Sequence, residues 1–328
     1  MAGRRTNLAL LWASVLALSS GVAAFVVGTQ PGWWVIAAHG VIALAIVALI
    51  PWKTMIAARG LQHRRGGRSV SVALTFATIA TLVTGFLLVS GEVESVGPLT
   101  TMQLHVAFGL LTVSLGLIHT LQRPVAHRAS DISRRNALRA GVVLAAGGGL
   151  WLVVEGVLEV ASLRGAGRRF TGSHEITDPR SVPYTQWIND SIQHLDPESH
   201  EVTIAGVPHP VSLIANGDDV ITATLDCTGG WYTTQEFGGI RLDRLIGDAS
   251  GESIVARSTT GYWRRFPIEH ADRLYLVTHM AGEPLRAGNG GPVRIVAPGR
   301  RGYWWVKWVS RVEIDDRPPW WQPPLPTA

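Results

Sequence analysis

A single cysteine, Cys227, stands in "TATLDCTGGWYTTQEFGGIRLDRL", a glycine- and tryptophan-rich turn between two strand-like runs. One thiol cannot close an intramolecular disulfide, and a lone cysteine is either a small buried hydrophobe or a soft ligand whose thiolate selects a soft metal site. A second group of chemistry-bearing residues lies far upstream. His39, His105 and His119 fall inside long apolar runs, where ionisable side chains are costly and tend to be functional. In "LHVAFGLLTVSLGLIHT" the last two are fourteen residues apart, which places them within roughly 40° of one helix face and about 21 Å apart along the axis. That spacing suits two haems stacked across a membrane. A low-spin electron-transfer haem takes two axial side-chain ligands, so His39 and His105 are the expected pair for an outer b-type haem. His119 would pair with His63 if the second helix continues past Pro51. The plainer roles of lone membrane histidines are proton relay and helix–helix hydrogen bonding.

The elements that must carry these histidines are five apolar runs, at about 8–28, 33–51, 70–90, 103–121 and 140–161, each near the roughly 20 residues needed to span a bilayer. Arg4 and Arg5 precede the first run. Lys53, Arg59, Arg64, Arg65 and Arg68 fill the second connection, and Arg123, Arg128, Arg134, Arg135 and Arg139 fill the fourth. The other connections lack Lys and Arg, and one carries Glu92 and Glu94. The positive-inside rule then predicts a multi-pass protein of the cytoplasmic membrane, with the N-terminus inside and the C-terminal half outside. "SRRNALRAGVVLAAGG" resembles a twin-arginine export signal placed internally, although Arg134 and Arg135 are equally ordinary positive-inside charges. Most clustered basic residues of this +5 chain flank apolar runs, so topology accounts for them and nucleic acid is not expected as a partner. Glu155 and Glu159, near the outer end of the last run, are read as facing water rather than a quinone.

From residue 200 the pattern changes to short β-branched and aromatic runs, "EVTIAGV", "VITATLDC", "RLYLVTHM" and "WWVKWVSRVEI" among them, separated by "HMAGEP", "GNGGP" and "PGRRG" turns. This predicts a mainly β domain with short helices, whose loops carry its chemistry. The terminal "RPPWWQPPLP" is expected to be a surface strap rather than a belt at the membrane interface.

The segment around Cys227, with Gly and Trp after the cysteine and a Gly-aliphatic-x-Leu run beyond, resembles the cysteine segment of the sulfite oxidase family of molybdopterin enzymes. "GEPLRAGNGGPVRIVAPGRRGYWWVKWVSRVEI" resembles a second family block in the same order. The resemblance implies that Cys227 is the protein thiolate on molybdenum and that Lys307, at the Lys-Trp position, helps hold the phosphate of the pterin. Arg294, Arg300 and Arg301 on the adjoining segments, and His174 in "RRFTGSHE", are further candidates for holding it. Asn289 stands where many relatives place histidine, and "GYWRRFP" offers Arg264 and Arg265 without a decisive spacing for a sulfite-binding arginine. Residues 30–125 resemble bacterial membrane cytochrome b domains that accompany periplasmic oxidoreductases.

The expected architecture is therefore an all-α five-helix membrane domain, 1–161, followed by an α+β, mainly β, sulfite oxidase-type molybdopterin-binding domain, 162–328. The expected activity is oxygen-atom transfer on a small-molecule substrate outside the membrane. Its cofactors would be molybdopterin with molybdenum and one or two haems b, with electrons exchanged with a quinone or another carrier. The lipid bilayer and twin-arginine export machinery would be its other partners. The competing reading is a non-catalytic membrane receptor whose β-rich domain binds a ligand.

Overall fold

The computed structural model describes residues 2–61, 68–97, 99–124, 128, 131, 133–185 and 190–326. It divides into two compact units, Met1–His174 and Glu175–Ala328.

In the first unit five apolar runs form α1 (Ala2–Val26), α2 (Gly32–Leu61), α3 (Arg68–Ser90), α4 (Thr101–Gln122) and α5 (Arg134–Val160). All five are long and apolar enough to cross a membrane. Large apolar side chains such as Phe76, Leu121, Leu152 and Val160 lie exposed along them, as helices facing lipid require. α1 packs on α2, α2 on α5, and α3 on α4. The second run does not end at Pro51. α2 continues through that proline to Leu61, because the ring removes one intrahelical donor while the bonds on either side still propagate the helix. A hairpin of β1 (Ser95–Val96) and β2 (Leu99–Thr100) leads into α4. There Thr100 and Gln103 form a reciprocal capping box, which satisfies the first free N–H groups of the histidine-bearing helix. Ser133 caps α5 by accepting from Asn136 N.

The two-residue strand β3 (His174–Glu175) spans the division. Beyond it come β4 (Glu201–Ile204), β5 (Val207–Pro210), α6 (Val211–Ala215), β6 (Asp219–Asp226), β7 (Trp231–Arg241) and α7 (Asp243–Ile246). β8 (Ser253–Ser258), β9 (Trp263–Pro267), β10 (Tyr275–Met280), β11 (Glu283–Pro284), β12 (Arg294–Val296) and β13 (Val309–Asp315) complete the set. This is the mainly β domain that the alternating runs predict. In one sheet β7 lies between β6 and β10, and β10 also pairs with β11 and β12. The other runs β5–β4–β13–β8–β9, with β13 parallel to β4 and antiparallel to β8. Phe237, Ile254, Leu276, Ile295, Val306 and Val312 are wholly buried in the shared core. Cys227 occupies the turn that joins β6 to β7, between the paired residues Asp226 and Tyr232.

Candidate cofactor sites

The β6–β7 turn is closed by Cys227 N donating to Trp231 O at 2.9 Å and Gly230 N donating to Cys227 O at 3.3 Å. The thiol is buried. Its Sγ is met by Gly229 N at 3.3 Å and by Thr185 Oγ1 at 3.2 Å, two short polar contacts suited to holding a thiolate. The 301–304 segment lies directly against this turn. A Cβ on Gly302 would come within 3.1 Å of Cys227 Cα, so glycine is what permits that approach.

Two cations converge on the same place. Lys307 Nζ donates to Gly288 O at 2.7 Å and Thr185 O at 3.1 Å. Burial, reinforced by Arg294, pushes its pKa down to about 8, and the Cys227 thiolate and Asp190 pull the other way. Arg294 is 2% exposed. Its guanidinium donates to Asn289 O and Trp305 O at 2.8 and 3.2 Å and lies 5.5 Å over the Trp305 ring. Burial lowers its pKa to about 10, again opposed by the Cys227 thiolate. Neither cation has a carboxylate partner among the described residues, and a buried charge held only by neutral acceptors is costly. Among the described residues, Arg294 Nε, Asn289 Oδ1 and Asp190 Oδ1 are buried with no partner. A phosphate would accept from the Arg294 donor, and the N–H groups of a pterin would supply donors to the two oxygens.

Residues 189–321 match the family model of the oxidoreductase molybdopterin binding domain. The C-terminal unit is a molybdopterin-binding oxidoreductase domain. Mitochondrial sulfite oxidases of Rattus norvegicus and Homo sapiens are 27% and 28% identical to the chain over 166 residues, covering 38% of it. The chain spans 30% of the length of each of these relatives. Among solved structures, the sulfane dehydrogenase SoxCD from Paracoccus pantotrophus aligns at 25% identity and a TM-score of 0.36, covering 38% of this chain and 40% of that one.

Within the molybdopterin domain the arginine candidates separate. Arg301 is spent on a buried ion pair, Nη1 to Asp226 Oδ1 at 2.5 Å, with Nη2 3.5 Å from Cys227 O. The pair clasps the 299–302 turn to the cysteine turn, and the buried Arg301 Nε has no partner among the described residues. Arg300 stacks on Trp304 at 4.8 Å. Arg265 is taken by Asp315 at 2.9 Å. Arg264, 1% exposed, instead donates to Tyr262 Oη and Pro323 O at 2.7 and 2.9 Å, and its Nη2 has no partner among the described residues. Tyr262 donates to Tyr303 O at 2.5 Å, and burial raises its pKa to about 12. Thr185 and Asp190 carry no signal in the local sequence, since only the fold brings them to Cys227 and Lys307, and likewise Tyr262 to Tyr303.

His174 opens β3, the strand beside β7 in the sheet. It belongs to the helical unit, where Nε2 lies 2.7 Å from Leu88 O and the ring packs against Gly91. Burial lowers its pKa. Its Nδ1 is buried with no partner among the described residues. Glu155 is not a simple water-facing charge. It pairs with Arg168, whose guanidinium sits 5.4 and 5.5 Å from the rings of Trp33 and Trp151.

In the helical unit His39 on α2 and His105 on α4 come together, with ring centroids 6.1 Å apart at 89°. His39 Nδ1 is 3.0 Å from Ala17 O, and His105 Nδ1 is 3.0 Å from Thr81 O. A carbonyl only accepts, so each Nδ1 carries the proton and each Nε2 is left as a lone pair, the ligating form of imidazole. With a lone pair on each Nε2, the two neighbouring rings would be able to hold a haem iron between them. Glycines make the room: a Cβ on Gly21 would lie 3.2 Å from the His39 ring, and one on Gly85 3.0 Å from the His105 ring. His119 meets Ser71 Oγ at 3.3 Å. Its expected partner His63 lies outside the described residues.

Proposed function

We propose that the chain is a membrane-anchored molybdenum oxidoreductase that transfers an oxygen atom to or from a small substrate outside the cytoplasmic membrane and exchanges the electrons through haem b with a quinone or another carrier. The observation that carries the reading is the buried thiol of Cys227 facing two buried cations, Lys307 and Arg294, that lack carboxylate partners among the described residues. Molybdopterin, when bound, supplies a two-electron metal centre with an oxygen ligand.

The chain's own residues divide the remaining work. Cys227 is the protein ligand. Thr185 Oγ1 and Gly229 N–H hold its sulfur in place and help to set how strongly it donates to the metal, as hydrogen bonds to a ligand atom do. Lys307 and Arg294 bind the cofactor's phosphate. The Arg301–Asp226 ion pair keeps the two turns registered. Arg264 and Tyr262 present a buried guanidinium and a phenol to the substrate, and Arg264 Nη2, with no partner among the described residues, favours a substrate with an oxyanion. His39 and His105 hold the haem with their Nε2 atoms.

Sidedness follows from the basic connections, and the internal Arg134–Arg135 motif is consistent with export through the twin-arginine route after the cofactor is inserted. Elemental analysis and the visible spectrum of the detergent-purified chain from a cofactor-competent host test the reading together. One molybdenum per chain and a haem Soret band are expected. Folded protein without molybdenum would overturn the enzyme reading, and folded protein without haem would remove the electron route alone.

A further inference from the structure

The C-terminal strap holds an open cleft of about 450 Å³ lined by Arg257, Arg265, Arg317, Trp263, Trp320 and Trp321, with no acidic side chain in its lining. The strap is fastened on both sides of its two indoles. Ser253 Oγ donates to Arg317 O at 2.7 Å on one side. On the other, Gln322 Oε1 accepts from Arg265 N at 3.1 Å, Gln322 Nε2 donates to Arg265 O at 2.8 Å, and Arg264 Nη1 donates to Pro323 O. These bonds cover the free edge of β9, a natural use for a strap. They do not account for the tryptophans. Trp320 and Trp321 are 73% and 56% exposed, their rings edge-on at 5.9 Å, and between the fastenings they are held in water.

Charge decides what could cover them. Behind the lining, Glu313 pairs with Arg257 and Asp315 with Arg265 and Arg317, so three guanidinium groups meet two carboxylates. Asp316 is next in the chain but does not line the cleft. The surface therefore offers cations beside indoles. That pairing matches the headgroup layer of a bilayer, where tryptophan partitions and arginine meets phosphate. A chain carrying five membrane-length helices holds such a layer at high effective concentration.

We propose that this Arg–Trp cleft docks on the anionic headgroup layer of the membrane that holds the helices, with Trp320 and Trp321 entering the interface and Arg257 and Arg317 on phospholipid phosphates. The proposal rests on the reading that the five helices cross a bilayer. It is tested on the full chain in nanodiscs of phosphatidylcholine with or without phosphatidylglycerol. The natural thiol, Cys227, is buried and is kept, and a bimane label is placed at Pro324→Cys on the strap or at Val220→Cys, an exposed position on β6. Headgroup-spin-labelled lipid should quench the strap label more than the β6 label, and more strongly with phosphatidylglycerol present. Arg257→Gln and Arg317→Gln should each weaken docking about fivefold, and Trp320→Ser with Trp321→Ser should abolish the excess quenching while near-ultraviolet circular dichroism is kept. Equal quenching at both labels, or excess quenching that survives these substitutions, overturns the proposal. A chain whose helices fail to insert, judged by protease sensitivity, overturns both the membrane reading and the docking. Quenching that arises only when a soluble protein is added would assign the cleft to a protein partner instead.

Discussion

The two candidate cofactor sites are built on opposite plans. In the helical unit each candidate imidazole is aimed by one carbonyl and one hydroxyl of a neighbouring helix, Ala17 O and Ser20 Oγ for His39 and Thr81 O and Thr84 Oγ1 for His105, with room left by glycine. In the β unit the thiol is surrounded by residues from four separate stretches, at 185, 226–229, 288–294 and 301–307. Periodic helices carry a ligand pair with little support, whereas a site made of turns needs cations, clasps and backbone donors from across the sheet.

If the sites are independent constructions, they should break separately. His105→Ala is expected to abolish the haem Soret band while molybdenum content stays at the wild-type level, and Cys227→Ser to lower turnover by at least about 100-fold, as loss of even an outer partner of a metal can, with haem absorbance unchanged. Loss of haem in Cys227→Ser would show that the sites depend on one another. Lys307→Met removes a charge-assisted contact of the kind worth about 1.5–3 kcal/mol, so cofactor retention measured by molybdenum analysis after dialysis should fall about 10- to 100-fold. Thr185→Val leaves the thiol in place without its hydroxyl contact, and about a tenfold loss of activity is expected, the low end for a partner of a metal ligand.

The smallest expected effect is a pH dependence. Lys307 is held at about 8 in the fold against an ordinary value of 10.5. Between those values the unfolded chain binds a proton that the folded chain does not, so this group makes the cofactor-free protein more stable as pH rises from about 8 towards 10.5, and less stable below. The domain's unfolding midpoint, followed by tryptophan fluorescence, should show that slope in the cofactor-free protein and lose it in Lys307→Met.

The same contrast explains what could be read from the chain before its structure. His39 and His105 were legible because apolar runs fix the helices and helical geometry fixes where side chains lie along them. Cys227 and Lys307 stood out through their flanking motifs and, for Lys307, through a charge in an apolar run. The Arg301–Asp226 ion pair was not legible because its partners lie 75 residues apart in sequence, and the contact of His174 with Leu88 O was not because 86 residues separate them. Tyr262, Asp190 and Thr185 were invisible for the same reason, since long-range pairing sets their neighbours. The continuation of α2 past Pro51 was left open by the sequence because a proline is a breaker by propensity alone, and the helix on either side outweighs it.

The central claim is that Cys227 is the protein ligand to molybdenum. X-ray absorption at the molybdenum edge of the detergent-purified chain, compared between wild type and Cys227→Ser, tests it most directly. One sulfur fewer around the metal in the variant, or loss of the metal altogether, is the expected result. A fully loaded variant with an unchanged sulfur shell would contradict the account.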